Sequence, residues 1–97
     1  MDKLTLTKIK VKEAEGETSV GLVSRVILFN DDWHSFEEVI HQLMIAIHCP
    51  AKIAEEMAWT VHSRGQCEVF NGALEECLEV STILEEIELK TEIRVGS

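Results

Sequence analysis

The segment that most constrains the fold is a short apolar run that ends abruptly at acidic residues. Val26-Ile27-Leu28-Phe29 is continuous, rich in strand-forming residues and followed directly by Asn30-Asp31-Asp32. This pattern is typical of a buried strand that leaves the core at a polar turn. Ser35 then lies three residues before Glu38, which is the spacing of a helix-capping box. The sequence therefore predicts a buried strand, a turn and a helix start in immediate succession.

Apolar residues at helical spacing predict three helices. The first covers about residues 36–48 and ends before Pro50, because the residue that precedes a proline disfavours helical geometry. Pro50 is predicted to be the first residue of the second helix, and Gly65 to end that helix in a left-handed conformation. Asn71 is predicted to cap the third helix, whose apolar residues are Leu74, Cys77, Leu78, Leu84 and Ile87.

Two further short segments favour strands, at residues 67–70 and 91–95, of which the second alternates cleanly between apolar and polar residues. The predicted order is β-α-α-β-α-β. This order indicates a single α+β domain over residues 24–97, with three helices packed on a small antiparallel three-stranded sheet. Residues 1–23 are polar and only partly alternating, so we expect a flexible N-terminal arm there, with an extra edge strand as the alternative.

The charge of the chain excludes one class of partner. The formal net charge is −9, although residues 1–12 alone contain four lysines and one aspartate. The rest of the chain is therefore strongly acidic and repels phosphate backbones, so we expect no nucleic-acid partner. An acidic surface suits a cationic group or a basic protein patch. The sequence also shows neither an apolar run of the roughly 18 residues needed to span a membrane nor an apolar signal segment, and we expect a cytoplasmic protein without a membrane partner.

The reactive side chains do not form a pattern of catalysis or metal binding. Cys49, Cys67 and Cys77 are an odd number without a CxxC pair, and we expect thiols that fill the core. His34, His41 and His48 recur every seven residues, about 10.5 Å along a helix, which is too far for two imidazoles to share one ion. We interpret them as a solvated edge and predict no metal and no cofactor. No GxSxG segment or glycine-rich phosphate loop is present, so we expect a protein that is not an enzyme.

The acids at the end of the strand are better explained as hydrogen-bond acceptors than as reagents. Carboxylates and an asparagine amide oxygen suit an ammonium group, which offers three donors and no acceptor. Apolar side chains from the strand end and the neighbouring helices would form a hole beside them. A charged rim on an apolar hole fits the amino terminus of a protein whose first side chain is large and hydrophobic.

Two separated motifs in the chain resemble those of the ClpS family, the adaptors that deliver N-end-rule substrates to the AAA+ Clp unfoldase. The family typically has NDD-aromatic-TPM-E and VHxxGx-(two to four residues)-VF segments. Asn30-Asp31-Asp32-Trp33 and Val61-His62 match the cores of these motifs, and the spacing between them fits the family without a gap. The resemblance covers about residues 24–95.

The resemblance implies a role for specific residues. Those implied to contact the α-amino group of the substrate, directly or through water, are Asn30, Asp31 or Asp32, and His62. Those implied to line the pocket for the first side chain are Phe29, Asp32, His34, Phe36, Val39, Ala58, Val61 and Ile93. The implied partners are the N-terminal domain of a Clp-type AAA+ unfoldase and substrates that begin with Phe, Leu, Tyr or Trp.

The chain departs from the family pattern at the pocket. His34-Ser35-Phe36 replaces the usual Thr-Pro-Met, and Ala58 replaces a usual methionine. A larger Phe36 offset by a smaller Ala58 would reshape the hole and preserve its volume. One alternative is a generic protein-interaction domain in which the Asn-Asp-Asp turn is only structural, and another is a metal-binding module.

Overall fold

The computed structural model describes residues 10–12 and 23–96. Four strands and three helices make up this described part of the chain. In chain order they are β1 (Lys10–Lys12), β2 (Ser24–Phe29), α1 (Phe36–Ile47), α2 (Ala51–Arg64), β3 (Gln66–Gly72), α3 (Leu74–Glu85) and β4 (Thr91–Val95). No helix among these residues is long and apolar enough to cross a lipid bilayer.

The strands form one sheet in the order β1-β4-β2-β3. Strand β2 lies at its centre and pairs antiparallel with both β3 and β4. The predicted α+β domain with three antiparallel strands is therefore confirmed. The structure adds β1, which pairs in parallel with β4 at the edge of the sheet.

The predicted flexible arm, residues 1–23, falls mainly outside the described residues. Within it, Lys10–Lys12 forms β1, which is the edge strand considered as the alternative. Residues 1–9 and 13–22 lie outside the part of the chain that the structure describes, so the flexibility of the arm stays a prediction.

One continuous core joins the sheet to the helices. Val26 and Leu28 of β2 are fully buried, as are Leu43 of α1 and Leu84 of α3. Burying a side chain of this kind stabilises the fold by about 1.5–3 kcal/mol. The prediction of core-filling thiols is confirmed, because the buried core includes Cys77 while the two other cysteines pack against it as free thiols.

The predicted start of α1 is confirmed in detail. The Oγ of Ser35 accepts a hydrogen bond from the backbone N–H of Glu38 at 3.1 Å, and the carboxylate of Glu38 accepts one from the N–H of Ser35 at 2.8 Å. These two bonds form the capping box, which fixes where the polar loop ends and the helix begins.

The other helix ends follow the sequence less closely. The prediction that Pro50 is the first residue of α2 is wrong, because Pro50 is the N-cap and the helix begins at Ala51. Gly65 ends that helix with a φ of 91°, as predicted. The cap predicted at Asn71 is wrong, because β3 continues to Gly72 and includes Asn71, whose side chain donates to Glu68 at 3.2 Å. The N-cap of α3 is Ala73, whose N–H donates to the carboxylate of Glu76 at 3.0 Å.

Two backbone hydrogen bonds position the polar loop, residues 30–35, at the end of β2. The N–H of Phe29 donates to the carbonyl of Lys90 at 3.0 Å, and the N–H of Asn30 donates to the carbonyl of Gly65 at 2.9 Å. Lys90 directly precedes β4 and Gly65 directly follows α2. The loop is therefore attached to both neighbours at the point where it leaves the sheet.

Candidate functional site

A pocket of about 320 Å³ lies between the polar loop, the start of α1 and the last turns of α2. Ligand pockets in proteins range from about 300 to 1,000 Å³, so this one is at the small end and suits a single amino-acid side chain with its backbone. Its lining residues are Leu28, Phe29, Asn30, Asp31, Asp32, His34, Ser35, Phe36, Val39, Ala58, Val61, His62 and Leu89.

The interior of the pocket is apolar and continuous with the core. Ala58 and Val61 of α2 are 3% and 4% exposed, and both Leu28 of β2 and Leu89 before β4 are buried. Val39 of α1 is half-buried and packs against the same core. Because Ala58 is the smallest of these side chains, it leaves room where a longer residue would fill the hole.

Three rings form an aromatic cluster at the mouth. The ring of Phe36, the first residue of α1, meets Trp59 edge-on at a centroid distance of 5.2 Å and His62 at 5.5 Å. The rings of Trp59 and His62 are 5.8 Å apart, also edge-on. Such arrangements are the favoured geometry of aromatic pairs. They fix the His62 ring beside the pocket while its residue stays exposed.

The two adjacent aspartates have different environments. The Oδ1 of Asp31 accepts hydrogen bonds from the backbone N–H groups of Trp33 and His34 at 3.1 and 2.9 Å, and its Oδ2 lies 2.6 Å from the Nδ1 of His34. Asp31 therefore shapes the loop, as aspartates in turns often do. Within the part of the chain that the structure describes, Asp32 is exposed and its carboxylate has no hydrogen-bond partner.

His34 connects the loop to the turn that follows α3. Its side chain is 2% exposed, its Nδ1 contacts Asp31, and its Nε2 lies 2.5 Å from the carbonyl oxygen of Ile87. Burial lowers the pKa of His34, but the hydrogen bonds to Asp31 and Ile87 outweigh it, so the pKa lies above its ordinary value. For Asp31, burial raises the pKa, but the hydrogen bonds from His34 outweigh this effect and leave the pKa below its ordinary value.

The predicted site residues come together, with one exception. All of the residues predicted to contact an amino group and all of those predicted to line the pocket, apart from Ile93, line this one cavity. Ile93 is fully buried in the middle of β4, opposite Val26 of β2, where it belongs to the core. Ile93 therefore does not line the pocket, whereas Leu89, four residues earlier along the chain, does.

Sequence reasoning missed several residues of the site. Leu28, Ser35 and Leu89 line the pocket, and Trp59 lies in the aromatic cluster at its mouth. The sequence predicts only a buried strand position for Leu28 and a helix cap at Ser35. Trp59 is 58% exposed. Its position two residues before the Val61-His62 motif was a signal that could have revealed it, since aromatic residues are enriched at binding surfaces.

The prediction of a solvated histidine edge holds for two of its three members. His41 and His48 are exposed, whereas the ring of His34 is buried between Asp31 and Ile87, so the prediction is wrong for His34. Among the residues that the structure describes, no group of three or more His, Cys, Asp or Glu side chains is placed to hold a metal ion.

Comparison with curated proteins finds similarity to much longer chains. The chain is 36% identical over 58 residues to the E3 ubiquitin-protein ligase UBR2 of Mus musculus, a match that covers 60% of this chain and 3% of the ligase. The match to UBR2 of Homo sapiens is 31% identical over 78 residues and covers 75% of this chain and 4% of the ligase. The chain thus spans only a few per cent of the length of these relatives.

A solved structure and a family model also match this chain, and they identify its fold and its family. A solved structure of Agrobacterium tumefaciens ClpS2 bound to L-phenylalaninamide matches with a TM-score of 0.68 at 18% identity, over 77% of this chain and 98% of that one. This likeness shows that the two chains share a fold. The family model described as ATP-dependent Clp protease adaptor protein ClpS matches residues 23–92. The chain therefore belongs to the ClpS adaptor family.

Proposed function

We propose that the chain is a non-catalytic adaptor that binds the free amino terminus of a substrate protein together with its large hydrophobic first side chain. The observation that carries the proposal is the pocket itself, in which an apolar interior opens beside exposed polar side chains. An amino terminus with a large first residue has the same two parts, a cation and an apolar side chain, attached to one carbon atom.

Three groups at the mouth suit the ammonium. Asn30 offers an amide oxygen, Asp32 a carboxylate and His62 a ring nitrogen, and all three residues are exposed at the pocket. An ammonium group has three donors and no acceptor, so three acceptors around it satisfy it completely. Hydrogen bonds with a charged partner contribute about 1.5–3 kcal/mol each.

The interior suits a large first side chain. Leu28, Ala58, Val61 and Leu89 are buried around the hole, and Phe36 closes one side. L-Phenylalaninamide, present in the structure of the ClpS2 protein, has a free amino group and a benzyl side chain, the same two parts that this pocket suits. We propose Phe, Leu, Tyr and Trp as the first residues that it accepts.

The expected affinity follows from these contributions. Burial of one large apolar side chain adds about 1.5–3 kcal/mol to the hydrogen bonds, and association costs at least about 4 kcal/mol in lost translational and rotational freedom. The difference is at most about 8 kcal/mol, and 1 µM corresponds to about −8.2 kcal/mol, so the expected binding is micromolar at its tightest. Such binding is strong enough to capture a substrate and weak enough to release it.

A three-peptide titration tests the proposal. We expect a peptide that begins with Phe to bind, and its N-acetylated twin to bind at least tenfold more weakly, because acetylation removes the charge that Asp32 and its neighbours recognise. A peptide that begins with Val should bind weakly, because its shorter side chain fills less of the pocket. Equal binding of the free and acetylated Phe peptides, measured by fluorescence anisotropy, would contradict the proposal.

Delivery to a Clp-type AAA+ unfoldase is the second part of the proposal, supported by membership of a family described as Clp protease adaptors. The proposed contact is with the N-terminal domain of the unfoldase, in the cytoplasm. Gel filtration of the chain with that isolated domain should give a complex. A fluorescent reporter that begins with Phe should be degraded faster by the unfoldase and its protease when the chain is added.

A structural role for the Asn-Asp-Asp turn is the competing explanation, and one observation favours it for part of the turn. Both carboxylate oxygens of Asp31 are used within the loop. A generic interaction domain predicts that neither Asp31→Ala nor Asp32→Ala changes the binding of a partner at the pocket. Adaptor function predicts a loss of peptide binding for Asp32→Ala.

A further inference from the structure

Both ring nitrogens of His34 face atoms that can only accept a hydrogen bond. Nδ1 lies 2.6 Å from the Asp31 carboxylate, and Nε2 lies 2.5 Å from the carbonyl oxygen of Ile87. A neutral imidazole carries one N–H and could donate to only one of these acceptors. The geometry is satisfied in full only when both nitrogens are protonated, since each then donates to its own acceptor.

The surroundings of the ring favour the charged form. The side chain is 2% exposed, and a buried charge is tolerated when it is paired and hydrogen-bonded, as this one is by Asp31. The indole of Trp33 lies against the ring with centroids 3.9 Å apart and planes tilted by 33°, a position in which a cation attracts an aromatic face. The raised pKa of His34 agrees with this geometry.

Other charged groups near the ring are mostly acidic. Glu38, in the first turn of α1, interacts electrostatically with His34. Asp32 on the same loop and His62 from α2 line the same pocket, and Glu86 and Glu88 flank Ile87 in the turn after α3. Among these, only His62 opposes a positive charge on His34 when it is itself protonated.

We propose that His34, as an imidazolium, is a positioning residue for the amino-group site. It connects the polar loop to the turn after α3 and holds the Asp31 carboxylate in the loop. This inference rests on the proposed function of the pocket. The loop is otherwise attached at its start, through Phe29 and Asn30, and at its end, through the capping box of Ser35. The bridge from Asp31 through His34 to Ile87 adds an attachment between these two points.

Because of the bridge, the two aspartates have different roles. Asp31 is neutralised and oriented by His34, so it is not the acceptor that meets the substrate. Asp32 follows it in the loop and is exposed, and its carboxylate has no partner among the residues that the structure describes. Loss of the bridge would free the Asp31 charge but let the loop move, and the geometry around the ammonium would be lost.

Two variants that each keep one half of the bridge test the positioning role. The side-chain nitrogen of Asn superposes on Nδ1 of histidine, so His34→Asn keeps a donor for Asp31 only; His34→Gln keeps a donor in the position of Nε2, for Ile87 only. We expect both to bind a Phe-initiated peptide about five- to twentyfold more weakly than the wild type, mainly through faster dissociation. The matched control is His41→Gln, an exposed histidine on α1 outside the pocket, which should bind as the wild type does.

The protonation state is measured on the ligand-free protein. With ¹⁵N-labelled histidine, both ring nitrogens of His34 should give the signals of protonated nitrogens at pH 7.5, and Asp31→Asn should shift this titration to lower pH. A neutral His34 ring at that pH would overturn the proposal. Unchanged or tighter peptide binding by His34→Asn and His34→Gln would also overturn it, because His34 would then act only by offsetting the charge of Asp31.

These measurements separate the inference from the proposed function. A wild-type protein that binds no Phe-initiated peptide would overturn the proposed function and with it the positioning role. The ring-nitrogen signals would still report whether the bridge exists. A protein that binds the peptide but has a neutral His34 would overturn the inference alone.

Discussion

The two sides of the pocket are held in different ways. The loop side, residues 30–35, is fixed by polar contacts, above all those of Asp31 with His34 and of His34 with Ile87. The helix side is formed by Ala58 and Val61, which lie on the buried face of α2 and would face the core in any case. Residues on the loop side can therefore be changed to alter amino-group binding, whereas changes on the helix side alter the shape of the hole and the packing of the domain together.

Because the loop side of the pocket holds the amino-group site, the largest loss of peptide binding is expected for a change at Asp32. Asp32→Ala should weaken binding of a Phe-initiated peptide by about tenfold to 100-fold, because it removes a hydrogen bond to a charged group. The melting temperature should stay unchanged, since Asp32 is exposed and unpaired within the described residues. Calorimetric titration and a thermal melt measure the two quantities.

The matched control for Asp32 is Glu56→Gln, which removes an exposed negative charge on α2 outside the pocket. It should change neither quantity by more than the small amount expected from long-range electrostatics. If the control weakens binding as much as Asp32→Ala does, the acidic surface as a whole attracts the peptide, and Asp32 has no specific role.

The next largest effect is expected on the helix side, where Ala58 and Phe36 line the same hole. Ala58→Met should weaken binding of peptides that begin with Phe or Trp by about tenfold, because overfilling a packed space typically costs about 1–3 kcal/mol. Phe36→Met in the same chain should restore much of the loss. A double-mutant cycle on the dissociation constants measures the coupling, expected at about 1 kcal/mol for residues that share a cavity. Additive effects would show that the two side chains do not share the space.

The same two sides explain what the sequence could and could not predict. The strand, the turn and the capping box at Ser35 follow from local spacing, and the structure places them as expected. The resemblance to the family implied that Val39, Ala58 and Val61 line a pocket, and in the structure they line the same cavity. The resemblance to the family implied a pocket role for Ile93, but motifs matched at residues 30–33 and 61–62 do not fix the position of a residue in β4, and Ile93 lies in the core. The pocket lies at the end before β4, at Leu89.

His34 shows a second limit of sequence reasoning. Its spacing from His41 and His48 predicts an exposed edge, but the ring is buried through a contact with Ile87, 53 residues away in the chain. The contact with Asp31 spans three residues and could have been expected from turn chemistry. The bond to Ile87 depends on how α3 ends, and no local pattern predicts that.

A smaller effect is expected in the pH dependence of stability. The pKa of His34 is raised on folding, so its contribution is fully present below about pH 6.5 and is lost as the pH rises through the folded value. The pKa of Asp31 is lowered, so its contribution is present above about pH 4 and is lost as the pH falls through the folded value. The free energy of unfolding of the wild type, relative to His34→Gln, should therefore be largest at about pH 4–6.5 and should become smaller as the pH rises through the folded pKa of His34.

Urea unfolding of both proteins across this range measures the difference. Asp31→Asn should show the same loss, because it removes the other half of the pair. A constant difference between the wild type and His34→Gln from pH 4 to pH 9 would mean that the ring contributes through packing and not through its charge.

The smallest effect is expected where the loop side meets the helix. Ser35→Ala removes the acceptor for the N–H of Glu38 and should cost about 0.5–1 kcal/mol, a fall of about 2–8 °C in melting temperature for a domain of this size. Peptide binding should weaken by less than about threefold, because His34 still holds the loop. The control Ser63→Ala removes a hydroxyl that donates to the carbonyl of Trp59 inside α2 and leaves every helix cap in place, so its effect on stability should be smaller. A large loss of binding in Ser35→Ala would show that the helix cap, and not the bridge through His34, is what holds the amino-group site in position.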